Sequence, residues 1–264
     1  KDRPGIPKEI MTDNWQEILE DEEIQLVIEL MGGVEPARTY IVQALEAGKQ
    51  VVTANKDVLA EHGQEILTLA ENSGCDIQFE AAVAGAIPII RPLKQSLAGS
   101  MLTEIMGIVN GTTNFILTKM SQEGMEFSDA LALATELGYA EADPTADIEG
   151  IDAGRKVAIL ASVAFNSRVT LDNVHIEGIT KITTEDMKYA KKLNMAIKLL
   201  ASSKRVGDTF SVLVAPMLLS EEHPLCNVND VFNAVFVRGN MLGDAMFYGS
   251  GAGKLPTASA CLLY

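Results

Sequence analysis

Between Gly138 and Lys156 the chain reads GYAEADPTADIEGIDAGRK. Glu141, Asp143, Asp147, Glu149 and Asp152 fall within about a dozen residues, and Arg155 and Lys156 follow at once. Gly138, with Pro144 soon after, predicts the end of one helix before the next begins. From about Ile148 the pattern becomes helical. Asp152, Lys156, Ile159 and Val163 stand at i, i+4, i+7 and i+11, which places them on one helix face. A lysine on a face that continues in apolar residues is half buried. Burial favours its neutral form, whereas a carboxylate one turn back favours the ammonium. Such a lysine is a candidate proton donor. The plainer alternative is a solvated loop and a helix start, where acidic residues suit the helix dipole. DPTADIEG carries acids at alternate positions, but the glycine and terminal glutamate of an EF-hand do not fall in place.

The elements that must position this stretch begin upstream. Ile24 to Met31 is an apolar run before Gly32-Gly33, the pattern of a strand buried on both faces of a parallel sheet. Pro36 to Ala47 has helical spacing, with Tyr40, Ile41, Ala44 and Leu45 on one face. Gln50 to Ala54 is a second strand, Asp57 to Glu71 a second helix, and Asp76 to Val83 a third strand. This βαβαβ order predicts a parallel sheet, and ligands of such sheets lie beyond the carboxyl ends of the strands. Gly32 is there to let a backbone come close. Thr53, Asn55 and Lys56 offer a hydroxyl, an amide and an amine at the second strand's exit; Lys56 alone also reads as a solvated loop lysine. The GxGxxG fingerprint is absent, and the GxGxG of Tyr248 to Lys254 lacks its spacing. The expectation is a dinucleotide fold without its first βαβ unit, a truncated fragment.

From Ala84 the character changes. Pro88 to Leu97 reads as a short helix, Leu102 to Val109 as a strand, and Asn110 to Asn114 as the cap of a helix to about Met120. Ser128 reads as the N-cap of a helix through Leu137. The Lys156 helix is expected to end near Asn166. Strand-like runs follow at 173–179, 196–203, 209–215, 234–237 and 244–248, punctuated by Pro216 and Pro224. The fold class is α/β: a partial Rossmann-like parallel sheet over 1–84, an α+β domain with an open sheet covered by helices over 85–248, and a closing helix over 249–264 that packs back on the first domain.

The chain has 264 residues, 47% of them hydrophobic, enough for one large or two moderate domains. A net charge of −15 argues against a nucleic-acid partner. Cys75, Cys226 and Cys261 are scattered and show no zinc spacing, which argues against a disulfide framework or a structural metal. No apolar run reaches the roughly 20 residues of a membrane helix, and the start lacks a signal core, so a cytoplasmic location is expected.

Five segments taken together resemble the homoserine dehydrogenase family: VVTANK at 51–56, FEAAVAGAIPII at 79–90, GIVNGTTNFILT at 107–118, the acidic stretch at 138–156, and YGSGAGKLPTASA at 248–260. The resemblance implies a Rossmann domain joined to a catalytic α+β domain. It implies a homodimer or dimer of dimers that interconverts L-homoserine and L-aspartate 4-semialdehyde with NADP or NAD, in biosynthesis of threonine, methionine and isoleucine. It implies that Lys156 donates and accepts the proton and that Lys56 is a second active-site lysine near the nicotinamide. It assigns Glu141 and Asp152 to the substrate's ammonium group and Asp147 to a further acidic position beside it. Gly138 and Gly251 are then cofactor contacts, together with Gly32, Thr53, Lys56 and Glu141. Glu80, Val83, Gly85 and Ile87 would form a monovalent-cation site, usually sodium, built mainly from backbone carbonyls. Two rivals stand beside this reading: another oxidoreductase acting on an amino-acid-derived carbonyl, and a silent dimerisation module.

Overall fold

The computed structural model of the chain describes residues 5–263. After a short helix α1 (Trp15–Glu20), strands β1 (Leu26–Glu29), β2 (Gln50–Thr53) and β3 (Ile77–Gln78) form a parallel sheet in the order β1-β2-β3. Helices α2 (Ala37–Glu46) and α3 (Lys56–Asn72) are the crossovers. Ile41, Ala44 and Leu45 of α2 and Val58, Ile66 and Ala70 of α3 pack with Val51 and Ile77 into one core cluster. Of the α2 face read from the sequence, Ile41, Ala44 and Leu45 are buried and Tyr40 is partly so.

Two strand expectations need correction. Leu26 and Ile28 of β1 are 42% and 43% exposed. Two residues apart, they share one face of β1, which stays open, while Val27 on the other face packs against the α2–α3 core. The third strand stops at Gln78 because the chain turns over Glu80–Ala82. The buried Glu80 carboxylate accepts from the backbone N–H groups of Ile89 and Ile90 (2.6 and 2.7 Å) and of Arg91 (2.8 Å). That bond set caps the helical segment that includes Pro92–Ser96 and pulls the chain out of the sheet.

A second, six-stranded sheet holds the rest of the chain. It contains β4 (Leu102–Ile108), β5 (His175–Ile176), β6 (Met195–Val206), β7 (Thr209–Ser220), β8 (Phe232–Gly239) and β9 (Gly243–Ser250), in the order β5-β7-β6-β4-β8-β9. The β5–β7 pair is parallel and the other pairs are antiparallel. Helices α4 (Gly111–Glu123), α5 (Phe127–Glu136), α6 (Thr145–Ile148), α7 (Ile151–Phe165) and α8 (Thr184–Lys192) belong to this half. Ile116 and Leu117 of α4, Val157 and Leu160 of α7, and Ile105, Leu199 and Val235 of the sheet share one core. A smaller cluster of Ile108, Leu200, Leu225 and Phe236 fills part of the opposite face.

Pro216 lies inside β7 opposite Leu199, where it was expected to punctuate. The β5 pairing reaches only Leu213 and Val214, so Pro216 has an open side on which its missing N–H is tolerated. Ser128 sits in the first turn of α5, whose N-cap is Glu126. Helix α8 was not expected, because most of its residues are polar. Its signal is the reciprocal pair of Thr183 and Asp186: the Thr183 Oγ1 accepts from the Asp186 N–H (3.2 Å) and the Asp186 carboxylate from the Thr183 N–H (2.9 Å). The last helix, α9 (Lys254–Cys261), packs on the Glu80–Ala82 turn. β9 runs on to Ser250, two residues past the boundary expected at 248. Among the described residues no helix is long and apolar enough to cross a membrane.

Candidate active site

The start of α7 is where the acidic stretch becomes a site. The i, i+4 spacing brings Lys156 Nζ to 2.6 Å from Asp152 Oδ2. The same ammonium donates to the Val109 carbonyl at the end of β4 (2.7 Å). Lys56, the first residue of α3, reaches the other oxygen, Asp152 Oδ1, at 3.3 Å. Asp152 therefore stands between the two lysines. Lys156 is the more enclosed, with 13% of its side chain exposed against 34% for Lys56. Beside them Arg155 pairs with Asp57 at 3.2 Å, an ion pair not aligned as a hydrogen bond, so α7 and α3 are joined twice at adjacent positions.

Asn110 completes the cluster, although the sequence predicts it only as part of a helix cap. It is that cap: its Oδ1 accepts from the Thr113 N–H (2.9 Å). Its amide nitrogen meanwhile donates to Asp147 Oδ1 (2.6 Å) and to Asp152 Oδ2 (2.8 Å). The available signal was an Asn at the junction of strand and helix, with its amide side left over once the cap is made.

The two carboxylates bridged by Asn110 are driven apart in proton affinity. Burial pushes the Asp147 carboxyl above its usual range, and the neighbouring Asp152 charge adds to this; the Asn110 bond opposes it. Burial also acts upward on Asp152, but the charges of Lys156 and Lys56 outweigh it, helped by hydrogen bonds from Lys156 and Asn110. The Asp152 carboxyl is held far below the ordinary range. Neighbouring acids separated in this way are typical of a site that handles protons.

The other expected residues divide. Gly138 lies just past α5 with φ +77°, a left-handed position that favours glycine, and next to it the Tyr139 carbonyl accepts from Thr112 Oγ1 (2.6 Å). Glu141 is exposed on the loop ahead of α6, outside the bonded cluster. Gly32 is exposed at the exit of β1. Thr53 needs correction: its side chain is fully buried, donates to Glu29 Oε2 (2.6 Å) and accepts from the Asn55 N–H (2.9 Å), so its hydroxyl does not face a ligand. The Asn55 amide is likewise committed, capping α3 through the Val58 N–H (3.1 Å) and donating to the Gly33 carbonyl (2.8 Å). Of these side chains the Lys56 amine, whose one ion pair is with Asp152, keeps donors to spare at that strand's exit.

Gly251, Gly85 and Ile87 come together. A Cβ on Gly85 would lie 2.6 Å from the Gly251 backbone, and one on Gly251 would lie 1.9 Å from the buried Asn233 amide. Val83 and Ile87 are buried in the same loop. The Glu80 carboxylate already accepts from three backbone amides. Among the described residues no three His, Cys, Asp or Glu side chains gather as a metal site. The three cysteines are free and buried.

Comparison with known proteins gives the same assignment from both halves. Residues 88–263 match the family model described as homoserine dehydrogenase, and residues 2–80 match the one described as homoserine dehydrogenase, NAD binding domain. The homoserine dehydrogenase of Bacillus subtilis is 49% identical over 255 residues, covering 97% of this chain and 59% of its own length. That of Mycobacterium tuberculosis is 52% identical over 261 residues, with coverages of 97% and 59%. The crystal structure of a Thiobacillus denitrificans homoserine dehydrogenase superposes with a TM-score of 0.92 at 46% identity, covering 95% of this chain and 58% of that one. A hyperthermophilic archaeal homoserine dehydrogenase in complex with NADPH gives 0.82 at 33% identity, with coverages of 95% and 73%. The chain thus spans about three-fifths of the length of the curated relatives it matches. With both sheets and the residues between them accounted for in this way, the chain belongs to the homoserine dehydrogenase family.

Proposed function

We propose that this chain interconverts L-homoserine and L-aspartate 4-semialdehyde with NADP or NAD, and that Lys156 moves the proton. The observation that carries this is the state of its ammonium group. A lysine has three N–H donors. Two are engaged, by Asp152 and by the Val109 carbonyl, and both hold the nitrogen in place. The third is available to a substrate oxygen. Reducing an aldehyde requires a hydride on carbon and a proton on oxygen. The nicotinamide, when bound, supplies the hydride. Lys156 polarises the carbonyl and delivers the proton; in the reverse direction it takes the proton from the hydroxyl.

The substrate's ammonium group needs carboxylates. Glu141 is unengaged and exposed to receive it. Asp152 has fewer sites to offer, since Oδ2 already accepts from Lys156 and Asn110 while Oδ1 faces Lys56 alone. Asp147 lies alongside. Lys56, half in solvent at the exit of β2, suits the substrate carboxylate and the nicotinamide end of the cofactor. Gly32 leaves the exit of β1 bare of side chain for the rest of the cofactor, and a Cβ there would meet nothing within 4 Å. Gly138 and Gly251 are the remaining backbone contacts we assign to it.

We assign a monovalent cation to the loop of Glu80, Val83, Gly85 and Ile87. A divalent ion would call for carboxylates. Here the Glu80 carboxylate already accepts from three backbone N–H groups, which leaves backbone carbonyls as the main donors. For assembly we propose a homodimer through the sheet face that carries Ala234 and Phe236. Tyr248 and Met246 pair with these residues and are 54% and 40% exposed on that face. We place the domain divisions near 84 and at the end of β9.

The test is direct. L-homoserine is supplied with NADP or NAD, and formation of reduced cofactor is followed by absorbance, with NADPH binding followed separately by fluorescence. Reduced cofactor that depends on homoserine is the expected result. Cofactor binding without turnover of homoserine would overturn the substrate assignment.

A further inference from the structure

Lys198 is the fourth residue of β6, with 3% of its surface exposed. Its neighbours explain its position. Gly107 of β4 pairs with Ala201 of β6. Counted back along this antiparallel register, Asn110 falls level with Lys198, where β4 leaves the sheet and turns into α4. The lysine fills the space below that departure.

Its Nζ donates to the Val228 carbonyl (2.6 Å), to Asn229 Oδ1 (3.0 Å) and to Asn114 Oδ1 (3.2 Å). These are three N–H groups on three neutral oxygens. The titratable groups that face it are Cys226 and Asp230, and among the described residues neither forms an ion pair with it. Asn114 continues the network. Its amide nitrogen donates to the carbonyls of Val228 (3.2 Å), Asp230 (2.9 Å) and Phe232 (3.1 Å). Lys198 and Asn114 thereby stitch residues 228–232 to α4. The stitched loop in turn abuts the helix start, where a Cβ on Gly111 would lie 2.8 Å from the Val231 carbonyl. The next residue back is Asn110.

An ammonium buried without a carboxylate is a poor choice for stability alone, since desolvation opposes it. Burial brings Lys198 down to about 8. An apolar side chain of the same length would fill the space without that penalty, but it would bind none of the three oxygens.

We propose that Lys198 is a positioning residue for the proton-handling cluster: by pinning Asn114 and the 228–232 loop it fixes the start of α4, and with it the Asn110 amide between Asp147 and Asp152. The part of this proposal that concerns substrate rests on the homoserine reading above; the part that concerns Asn110 does not.

The test uses Lys198→Met in the full chain, with Asn229→Ala as a milder variant that removes one acceptor and keeps the lysine. The first measurement is the carboxyl-carbon NMR titration of Asp147 without substrate. Asn110 is the strongest of the groups that oppose the upward push on this carboxyl, ahead of the Lys156 and Lys56 charges, so a loosened Asn110 moves the midpoint further up. The second is the steady-state split for L-homoserine, where KM is expected to rise roughly tenfold or more in Lys198→Met well below its melting temperature, the scale of a remote mispositioning. A purely structural lysine would lower the melting temperature and leave both readouts alone. An unmoved Asp147 midpoint in folded Lys198→Met overturns the proposal; if that variant does not fold, an unmoved midpoint in Asn229→Ala does so. A moved midpoint with an unchanged homoserine KM supports the positioning role and counts against the homoserine reading, so the two fail separately.

Discussion

Glu29 and Asp152 are both buried carboxylates near the ends of elements, 4% and 7% exposed, and they are used in opposite ways. Glu29 accepts from the Thr53 hydroxyl and from the Met31 N–H, both at 2.6 Å. It ties the exits of β1 and β2 together with neutral donors, and the Thr53 hydroxyl also accepts from the Asn55 N–H. Asp152 is surrounded by an amide and two ammonium groups, and the lysines keep donors in reserve. The first cluster is closed and the second is not. What separates a structural polar cluster from a chemical one here is the hydrogen-bonding capacity left after the fold is made, rather than burial or charge count.

The contrast can be broken most sharply at Lys156. Lys156→Ala is expected to cut turnover at least ~100-fold, the scale for loss of a general acid, with the circular dichroism spectrum unchanged; near-normal kcat would remove Lys156 from the chemistry. Asp152→Asn should come next, affecting both activity and stability. Two lysines would then face a neutral amide, and unfolding titrations should show a loss of roughly 2 kcal/mol at neutral pH. Because the Asp152 carboxyl is held low in the fold, its contribution is present above the ordinary aspartate value of about 4 and is lost as pH falls through the depressed value. The stability gap between parent and variant should therefore close in strong acid; a gap that stays constant down to that range would contradict the ion-pair account.

Glu29→Gln tests the closed cluster. Denaturant unfolding should show about 1–2 kcal/mol lost, since an amide cannot accept at both oxygens. kcat with saturating substrate should stay within about twofold, well short of the general-acid scale. A large fall in kcat would merge the two clusters into one. The smallest effect belongs to Asp147→Asn. Its carboxyl is raised in the fold, so the ionised form is disfavoured there. At neutral pH the amide should stabilise by about 0.5 kcal/mol after solvent screening, and the gain should fade as pH drops through the raised value toward that of an unfolded aspartate. A destabilised variant at pH 7 would show that the Asp147 charge is needed.

Much of this was legible because it is local. The apolar spacing of α2 and α7 is read directly from residues such as Ile41, Leu45 and Ile159, which are buried as the pattern requires. The β2 strand and the glycine after α5 were equally plain. What failed had a physical reason each time. β1 looked enclosed because its apolar residues fall on both faces, and sequence does not show that only the Val27 face is covered. β3 was cut short by a carboxylate that caps a helix some ten residues further on. α8 was hidden by its polar composition, although Thr183 and Asp186 announced its start. Thr53 and Asn55 looked like ligand contacts because residue type shows what a side chain can bond, but not what it has already bonded.

By itself the sequence determined one half of the candidate site. A helix repeats every 3.6 residues, so Asp152 and Lys156 had to meet on one face wherever α7 lay. Tertiary structure decided the other half. Lys56 comes from the first sheet's crossover, Asn110 and the Val109 carbonyl from the β4–α4 junction, and no spacing rule relates them to α7. Only the packing of α3 and of the β4–α4 junction against α7 sets how many donors remain free, and that remainder is what a substrate would find.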